Sequence, residues 1–394
     1  MTLALRTALL LTVGDPGRLR GSYLYHRRLA DLAAEHGWRL GFVALPELPF
    51  PLPLLAVRRA VRAALVERPA VLLVDSYAAP FLLPARRLVG NLPLVASVHE
   101  PLGGLDAPAW ERQLRARWTR PLYRRARQLL AASRYLADTL ARAGLGRRLA
   151  VVPPGRDLGP EPSPPATAAP PEAGLMAAVA AARAAQRPPL DPLAGIHERQ
   201  GAVTAELRVG RQMAILCVAR WTPRHGILPL LDALAALPSS TATLHLVGDT
   251  TGDRRYATRV RRRLAAPDLR QRVRVHGLQG LPALAELYRH ADIFVLPSRL
   301  EPVAMGVGEA MALGLPIVAV AGGNVPYLVT DGVEGRLLPR PEPEALRTAL
   351  AELAVAPATR LQMGQAARRR ALALPRWTET AARFFAALAE AAQS

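Results

Sequence analysis

The chain contains no lysine; all 51 of its cationic residues are arginine. That excludes Schiff-base chemistry on a lysine amine. A single cysteine, Cys217, excludes an intramolecular disulfide and a thiolate metal cluster. Within Ala214-Ile-Leu-Cys-Val218 it reads as a small core residue. Aromatic residues are only 5% of the chain, and no stacking platform interleaves with the charge, so nucleic acid is not an expected partner. No run of 18 apolar residues avoids a charge or a proline, which argues against a spanning helix. There is no Asp-x-Asp and no His/Cys ligand cluster, so chemistry without a bound metal or other cofactor is expected.

What the chain has in excess is positive charge. The formal net charge is +20, and residues 1–157 carry 24 Arg against 11 Asp plus Glu. A basic surface suits anionic partners such as lipid head groups. The arginines at 112, 115, 117, 120, 124, 125 and 127 alternate with Leu114, Trp118, Leu122 and Tyr123, a pattern fit for lying on an anionic membrane. Pro121 is expected to split that stretch into two helices. The apolar start, Met1 to Val13, ends in Gly14-Asp-Pro-Gly rather than at a small-residue cleavage site. It reads as a buried strand, and the protein as cytoplasmic, peripheral at the membrane's inner face if the basic stretch docks there.

A length of 394 residues accommodates two domains. Short apolar β-branched runs alternate with helical periodicity twice. In residues 1–157, strands are expected at 3–13, 38–45, 70–75, 92–98, 127–132 and 149–152, with helices at 23–36, 54–66 and from Ser133 to Ala143. Residues 158–204 are Pro/Ala-rich and low in complexity, as a linker or insertion is. Residues 205–375 repeat the alternation, with strands at 213–218, 242–247, 273–276, 291–297 and 317–320. Residues 376–394 hold a last helix. The alternation predicts two α/β, Rossmann-like doubly wound domains, with ligands beyond the carboxyl ends of their strands.

One stretch concentrates chemistry: Ser298-Arg-Leu-Glu-Pro-Val-Ala-Met-Gly-Val-Gly-Glu-Ala-Met-Ala-Leu-Gly-Leu-Pro316. A strand leads into a loop bearing Glu301, then into a small-residue helix bearing Glu309. The nearly bare first turn of that helix gives an anion access to backbone N–H groups. With Gly322-Gly323, this stretch resembles the E-x7-E segment of the retaining family-4 glycosyltransferases, which have the GT-B fold of two Rossmann-like domains facing a cleft. Val247-Gly-Asp249, Val275-His-Gly277 and Pro153-Pro-Gly-Arg-Asp157 are similar to further turns of that family.

The resemblance implies transfer of a hexose from a nucleotide-diphosphate sugar, the co-substrate, to an acceptor hydroxyl. The acceptor is unknown, and a lipid-linked one fits the basic stretch. Gly21-Ser22 would face the donor diphosphate, as would the N–H groups around Ala304, Met305 and Gly306. Arg220 would clamp the diphosphate, Glu309 would hold the ribose, and the nucleobase would lie against Gly277. Glu301 and His99 would contact the reacting sugar, and Ser133 lies at another strand end. The family's second clamping cation is a lysine; here His225 takes its place, with Arg224 beside it as an alternative. Ala304 stands where the family prefers glycine. These departures leave open a degenerate, non-catalytic carbohydrate- or membrane-binding protein of the same fold. An epimerase or a phosphorylase of that fold is the other alternative.

Overall fold

The computed structural model describes residues 5–17, 21–156 and 207–393. The expected linker, Asp157 and the start of the first strand lie outside the described residues. Each lobe is built on an all-parallel six-stranded sheet. In the first lobe the strands are β1 (Arg6–Val13), β2 (Trp38–Leu45), β3 (Val71–Asp75), β4 (Leu94–Val98), β5 (Gln128–Ala131) and β6 (Leu149–Val151), in the order β2-β1-β3-β4-β5-β6. In the second they are β7 (Met213–Val218), β8 (Ala242–Val247), β9 (Val273–Gly277), β10 (Ile293–Leu296), β11 (Ile317–Val320) and β12 (Gly335–Leu338), in the order β12-β11-β10-β7-β8-β9.

These strands are apolar on both faces because helices cover both faces of each sheet. Every residue of β3, β4, β8, β10 and β11 is buried. Chain direction across the sheet reverses between β1 and β3 in the first lobe and between β7 and β10 in the second. Such reversals open crevices at the strands' carboxyl ends. The segments after β1, β3, β4, β7 and β10 carry the polar residues of the site.

The helices that matter to the site are α1 (Gly21–Leu32), α2 (Leu54–Val66), α3 (Ala109–Arg125), α4 (Arg134–Arg142), α5 (Ile227–Ala235), α6 (Arg254–Leu264), α7 (Leu281–His290), α8 (Met305–Ala312), α9 (Pro343–Ala354), α10 (Pro357–Ala371) and α11 (Trp377–Gln393). Ser133 caps α4, its Oγ accepting from Leu136 N at 3.1 Å. Pro121 does not divide α3, contrary to expectation: one helix runs through it. The carbonyl deprived of its usual partner belongs to Arg117, an exposed residue, while Thr119, Leu122 and Tyr123 are buried and hold the helix in place.

Helix α11 packs on the first lobe, although it follows the second in sequence. Trp377, Phe384, Phe385 and Leu388 join a core with Leu10, Tyr25, Leu29 and Leu130. Each such fully buried side chain stabilises the docking by roughly 1.5–3 kcal/mol. The crossing is close: a Cβ on Gly155 would lie 2.4 Å from the backbone of Trp377. Arg156 N donates to Pro375 O at 2.8 Å there.

Candidate active site

A cavity of about 470 Å³ lies between the lobes. Ser22, His99 and Glu100 line it from the first lobe, and Arg220, Arg224, His225, Glu301 and the 304–306 turn from the second. Interlobe contacts hold the walls together. Ser133 Oγ donates to Pro302 O at 2.5 Å, and Arg224 Nε donates to Asp106 Oδ1 at 2.9 Å.

Arg220 leaves the end of β7 where Ala219 N and Trp221 N are fixed to Val247 O and Asp249 O at 2.9 Å. Its Nε lies 4.0 Å from Asp249 Oδ2 and has no hydrogen-bond partner among the described residues. Asp249 is itself turned toward its own loop, accepting from Thr251 N at 2.8 Å and Thr251 Oγ1 at 2.6 Å. A guanidinium at a cleft with an unused donor is a cation ready for an anionic ligand.

His225 does not supply the cation that the family's lysine does at this position. It is buried, its Nδ1 is 2.7 Å from Thr222 Oγ1, and its Nε2 is 3.9 Å from Glu301 Oε1. Burial, then Arg224, push its pKa down to about 3, only partly opposed by Asp106. The ring is neutral and contributes a hydrogen bond, not a charge. Arg224, the alternative cation, is already engaged. Besides Asp106, it donates to Leu300 O at 2.8 Å and sits 3.7 Å from Glu301 Oε1. Burial also raises the Glu301 carboxyl above its ordinary value, with Arg224 and Ser298 opposing.

The loop carrying Glu301 is stitched to the segment after β11. Asn324 N donates to Glu301 O at 2.7 Å, and Gly323 sits at φ +70° with its missing Cβ only 2.3 Å from Glu301 O. No other residue type fits there. Ala304 follows at φ 60°, ψ 43°, a left-handed conformation that costs an L-residue roughly 1–2 kcal/mol. It starts α8, and the N–H groups of Met305 and Gly306 have no acceptor among the described residues. Gly306 is closely packed: a Cβ there would lie 3.1 Å from Tyr288 Oη, which would have to shift by a few tenths of an ångström.

Three candidates sit differently from expectation. Glu309, one turn into α8, opens on a neighbouring hollow of about 740 Å³ shared with Arg28, Tyr288 and Arg289, rather than on the main cavity. Its carboxylate pairs with the Tyr288 hydroxyl, which supplies the partner a half-buried acid needs. Gly277, at φ +67°, does not line the cleft; the two residues after it, Leu278 and Gln279, do. Gly21 and Ser22 are the first residues of α1 rather than a separate turn, and Ser22 lines the cavity.

Several residues at the site were not anticipated from the sequence: Tyr77, Glu100 and Arg115 line the cavity, and Asp106 holds Arg224 beside it. Tyr77 Oη donates to Glu100 Oε1 at 2.9 Å, and burial raises the Glu100 carboxyl above its usual range. Arg115 lies over the Phe50 ring, 5.1 Å from its centroid, and pairs with Glu111. The one signal in the sequence was His99-Glu-Pro at a strand end, which places Glu100 beside a suspected site residue.

Two facing Rossmann-like lobes with a polar crevice at their strand ends define the GT-B class of protein. The family model described as "Glycosyltransferase Family 4" matches residues 10–159, and that described as "Glycosyl transferases group 1" matches residues 212–355. The matches fall one on each lobe, and the chain belongs to the family-4 glycosyltransferases. It is 43% identical over 95 residues to a D-inositol 3-phosphate glycosyltransferase of Streptomyces griseus, covering 24% of this chain and 20% of that protein. It is 31% identical over 206 residues to a GDP-mannose-dependent alpha-(1-6)-phosphatidylinositol monomannoside mannosyltransferase of Mycolicibacterium smegmatis, covering 50% of this chain and 51% of that protein. The similarity thus spans between a fifth and about half of these relatives' length. Among solved structures, Anabaena HepE in complex with UDP and glucose superposes with a TM-score of 0.71 at 19% identity, covering 96% of this chain and 99% of that one. At that identity the likeness establishes the fold.

Proposed function

We propose that the protein is a retaining glycosyltransferase that moves a hexose from a nucleotide-diphosphate sugar to an acceptor hydroxyl, with no metal required. The observation that carries this reading is the meeting of Arg220, with its unused Nε, and the bare N–H groups of Met305 and Gly306 on one wall of the interlobe cavity. Breaking the bond from anomeric carbon to diphosphate builds negative charge on the leaving phosphate, and fixed donors of this kind stabilise it. Glu301, held within 4 Å of Arg224 and His225, is placed to accept from donor-sugar hydroxyls and to face the positive charge developing on the ring. His99 faces it from the first lobe. The transferred group leaves with its bond electrons on the diphosphate, which takes the acceptor's hydroxyl proton as the new glycosidic bond forms on the same face.

The names of the relatives point to an inositol-bearing acceptor, and one of them to a phosphatidylinositol. The exposed face of α3 fits a membrane-bound one: Trp110, Arg117, Arg120 and Arg124 all lie on it at helical spacing. No helix among the described residues is long and apolar enough to cross a membrane. The test is to incubate the protein with UDP-, GDP- and ADP-sugars, measure nucleotide release, and determine the product's anomeric configuration. A second reading, a non-catalytic binder, is favoured by the neutral His225 and the strained Ala304. Tight nucleotide binding with no release of sugar from any donor would select it.

A further inference from the structure

Behind His99 the first lobe buries polar side chains that donor binding alone does not require. Thr12 on β1, His26 on α1, Asp75 on β3 and Ser97 on β4 are at most 1% exposed. Ser97 Oγ lies 3.0 Å from His26 Nε2 and 3.1 Å from His99 Nε2, and the two Nε2 atoms are 3.2 Å apart. On its far side His26 presents Nδ1 to Asp75 Oδ2 at 3.8 Å, with no hydrogen-bond partner among the described residues. The Asp75 carboxylate accepts from Thr12 Oγ1 at 3.3 Å, Ser76 Oγ at 3.1 Å and Tyr77 N at 3.2 Å. His99 itself lines the cavity.

The number of protons available fixes how this cluster is arranged. Burial holds both imidazoles neutral, so each carries one N–H. Protons on both facing Nε2 atoms would collide, and with none there the lone Ser97 hydroxyl proton would satisfy only one ring. One Nε2 therefore carries a proton and the other accepts. A negative Asp75 draws the His26 proton to Nδ1, because an opposite charge acts strongly at this distance in a dry interior. His26 Nε2 is then the acceptor, and His99 holds its proton on Nε2. That leaves His99 Nδ1 as a lone pair. With Asp75 neutral the pull disappears. A proton on His26 Nδ1 would then be a buried donor 3.8 Å from Asp75 with no hydrogen-bond acceptor among the described residues, so the other arrangement, with His99 as an Nδ1–H donor, is favoured.

We propose that Asp75, His26 and Ser97 are positioning residues that fix the tautomer of His99, turning its Nδ1 into a hydrogen-bond acceptor for a sugar hydroxyl in the cleft. Only the catalytic consequence rests on the transferase reading; the tautomer is a property of the folded chain. The remaining groups facing the cluster are the Tyr77 hydroxyl after β3, Glu100 after β4, Tyr123 on α3 and the Tyr25 ring, which stands edge-on to His99 with centroids 4.8 Å apart. Burial lifts the Asp75 pKa to about 7, opposed by its three hydrogen bonds and reinforced by Glu100. The change of tautomer therefore falls near neutrality.

The test is long-range proton–nitrogen NMR of histidine-labelled protein, with His99 assigned through His99→Gln. The wild type is followed from about pH 5.5 to about pH 8.5, beside Asp75→Asn and Ser97→Ala. The expected result is an Nε2–H tautomer of His99 in the alkaline wild type, giving way to Nδ1–H below neutrality and at every pH in Asp75→Asn. In transfer assays Asp75→Asn is expected to lower kcat about tenfold, the size of one lost hydrogen bond, with the donor KM unchanged. A single His99 tautomer across the whole wild-type series and in Asp75→Asn would overturn the proposal. The wild-type series decides the question even if a variant fails to fold. A pH-dependent tautomer in a protein that turns over no nucleotide sugar would instead count against the transferase reading alone.

Discussion

At the scale of single residues, the site holds two unfavourable choices whose effects can be measured. Ala304 occupies a left-handed conformation and is buried, so its strain is not relieved by solvent or by movement. Glycine removes the strain of roughly 1–2 kcal/mol but returns part of it as unfolded-chain entropy. Ala304→Gly is expected to stabilise the fold by roughly 0.5–1 kcal/mol, read as a higher midpoint in urea unfolding, and to tighten nucleotide binding. The second choice is His225. Its folded pKa of about 3 lies below the ordinary value of 6.5, so the unfolded chain takes up the proton first as pH falls. The stability tied to this group is complete above about pH 6.5 and is lost between there and about pH 3, at up to roughly 1.4 kcal/mol per pH unit. His225→Asn should therefore lose less stability than the wild type between about pH 7.5 and about pH 5, as urea titrations at each pH would show.

At the scale of elements, the site depends on the segments after β7 and β10, the two strands flanking the reversal in the second sheet. Arg220 ends one and Glu301 the other, with α8 offering unpaired amides between them. Arg220→Ala removes a charge-assisted contact and should weaken nucleotide-diphosphate binding by roughly 1.5–3 kcal/mol, measured by calorimetry, without changing the thermal midpoint much. These positions were readable in the sequence because each comes after a short apolar strand closed by a turn residue, as His99 does. The Arg224–Asp106 pair was not, since its partners lie 118 residues apart and belong to different lobes. His26 was missed for a related reason: on a helix its burial is set by which sheet the helix covers. Pro121 misled because local propensity gave way to the packing of Thr119, Leu122 and Tyr123. Helix α10 gave no clear signal, its arginine-rich face masking the few residues it buries.

At the scale of the whole molecule, the two lobes meet through Arg224–Asp106 and Ser133–Pro302, and α11 ties the end of the chain back to the first lobe. The two-lobed architecture was legible in the repeated strand–helix alternation, whereas the closeness of the lobes was not, because it rests on contacts between surfaces with no periodicity. The charge of +20 is concentrated in the first lobe, where α3 exposes Trp110 and three arginines on one face. Replacing Arg117, Arg120 and Arg124 with Gln should abolish co-sedimentation with anionic vesicles and leave turnover of a soluble acceptor intact. Unchanged co-sedimentation would remove the membrane reading.

On this reading arginine and bare helix amides grip a nucleotide's diphosphate between the lobes with no ion needed. Calorimetric titration of UDP, GDP and ADP in the presence of EDTA, into the wild type and Arg220→Ala, tests it most directly. Saturable binding of at least one of these nucleotides to the wild type in EDTA is expected, weakened about tenfold or more in Arg220→Ala. Binding that appears only when a divalent metal is restored, or that is indifferent to Arg220, would contradict it.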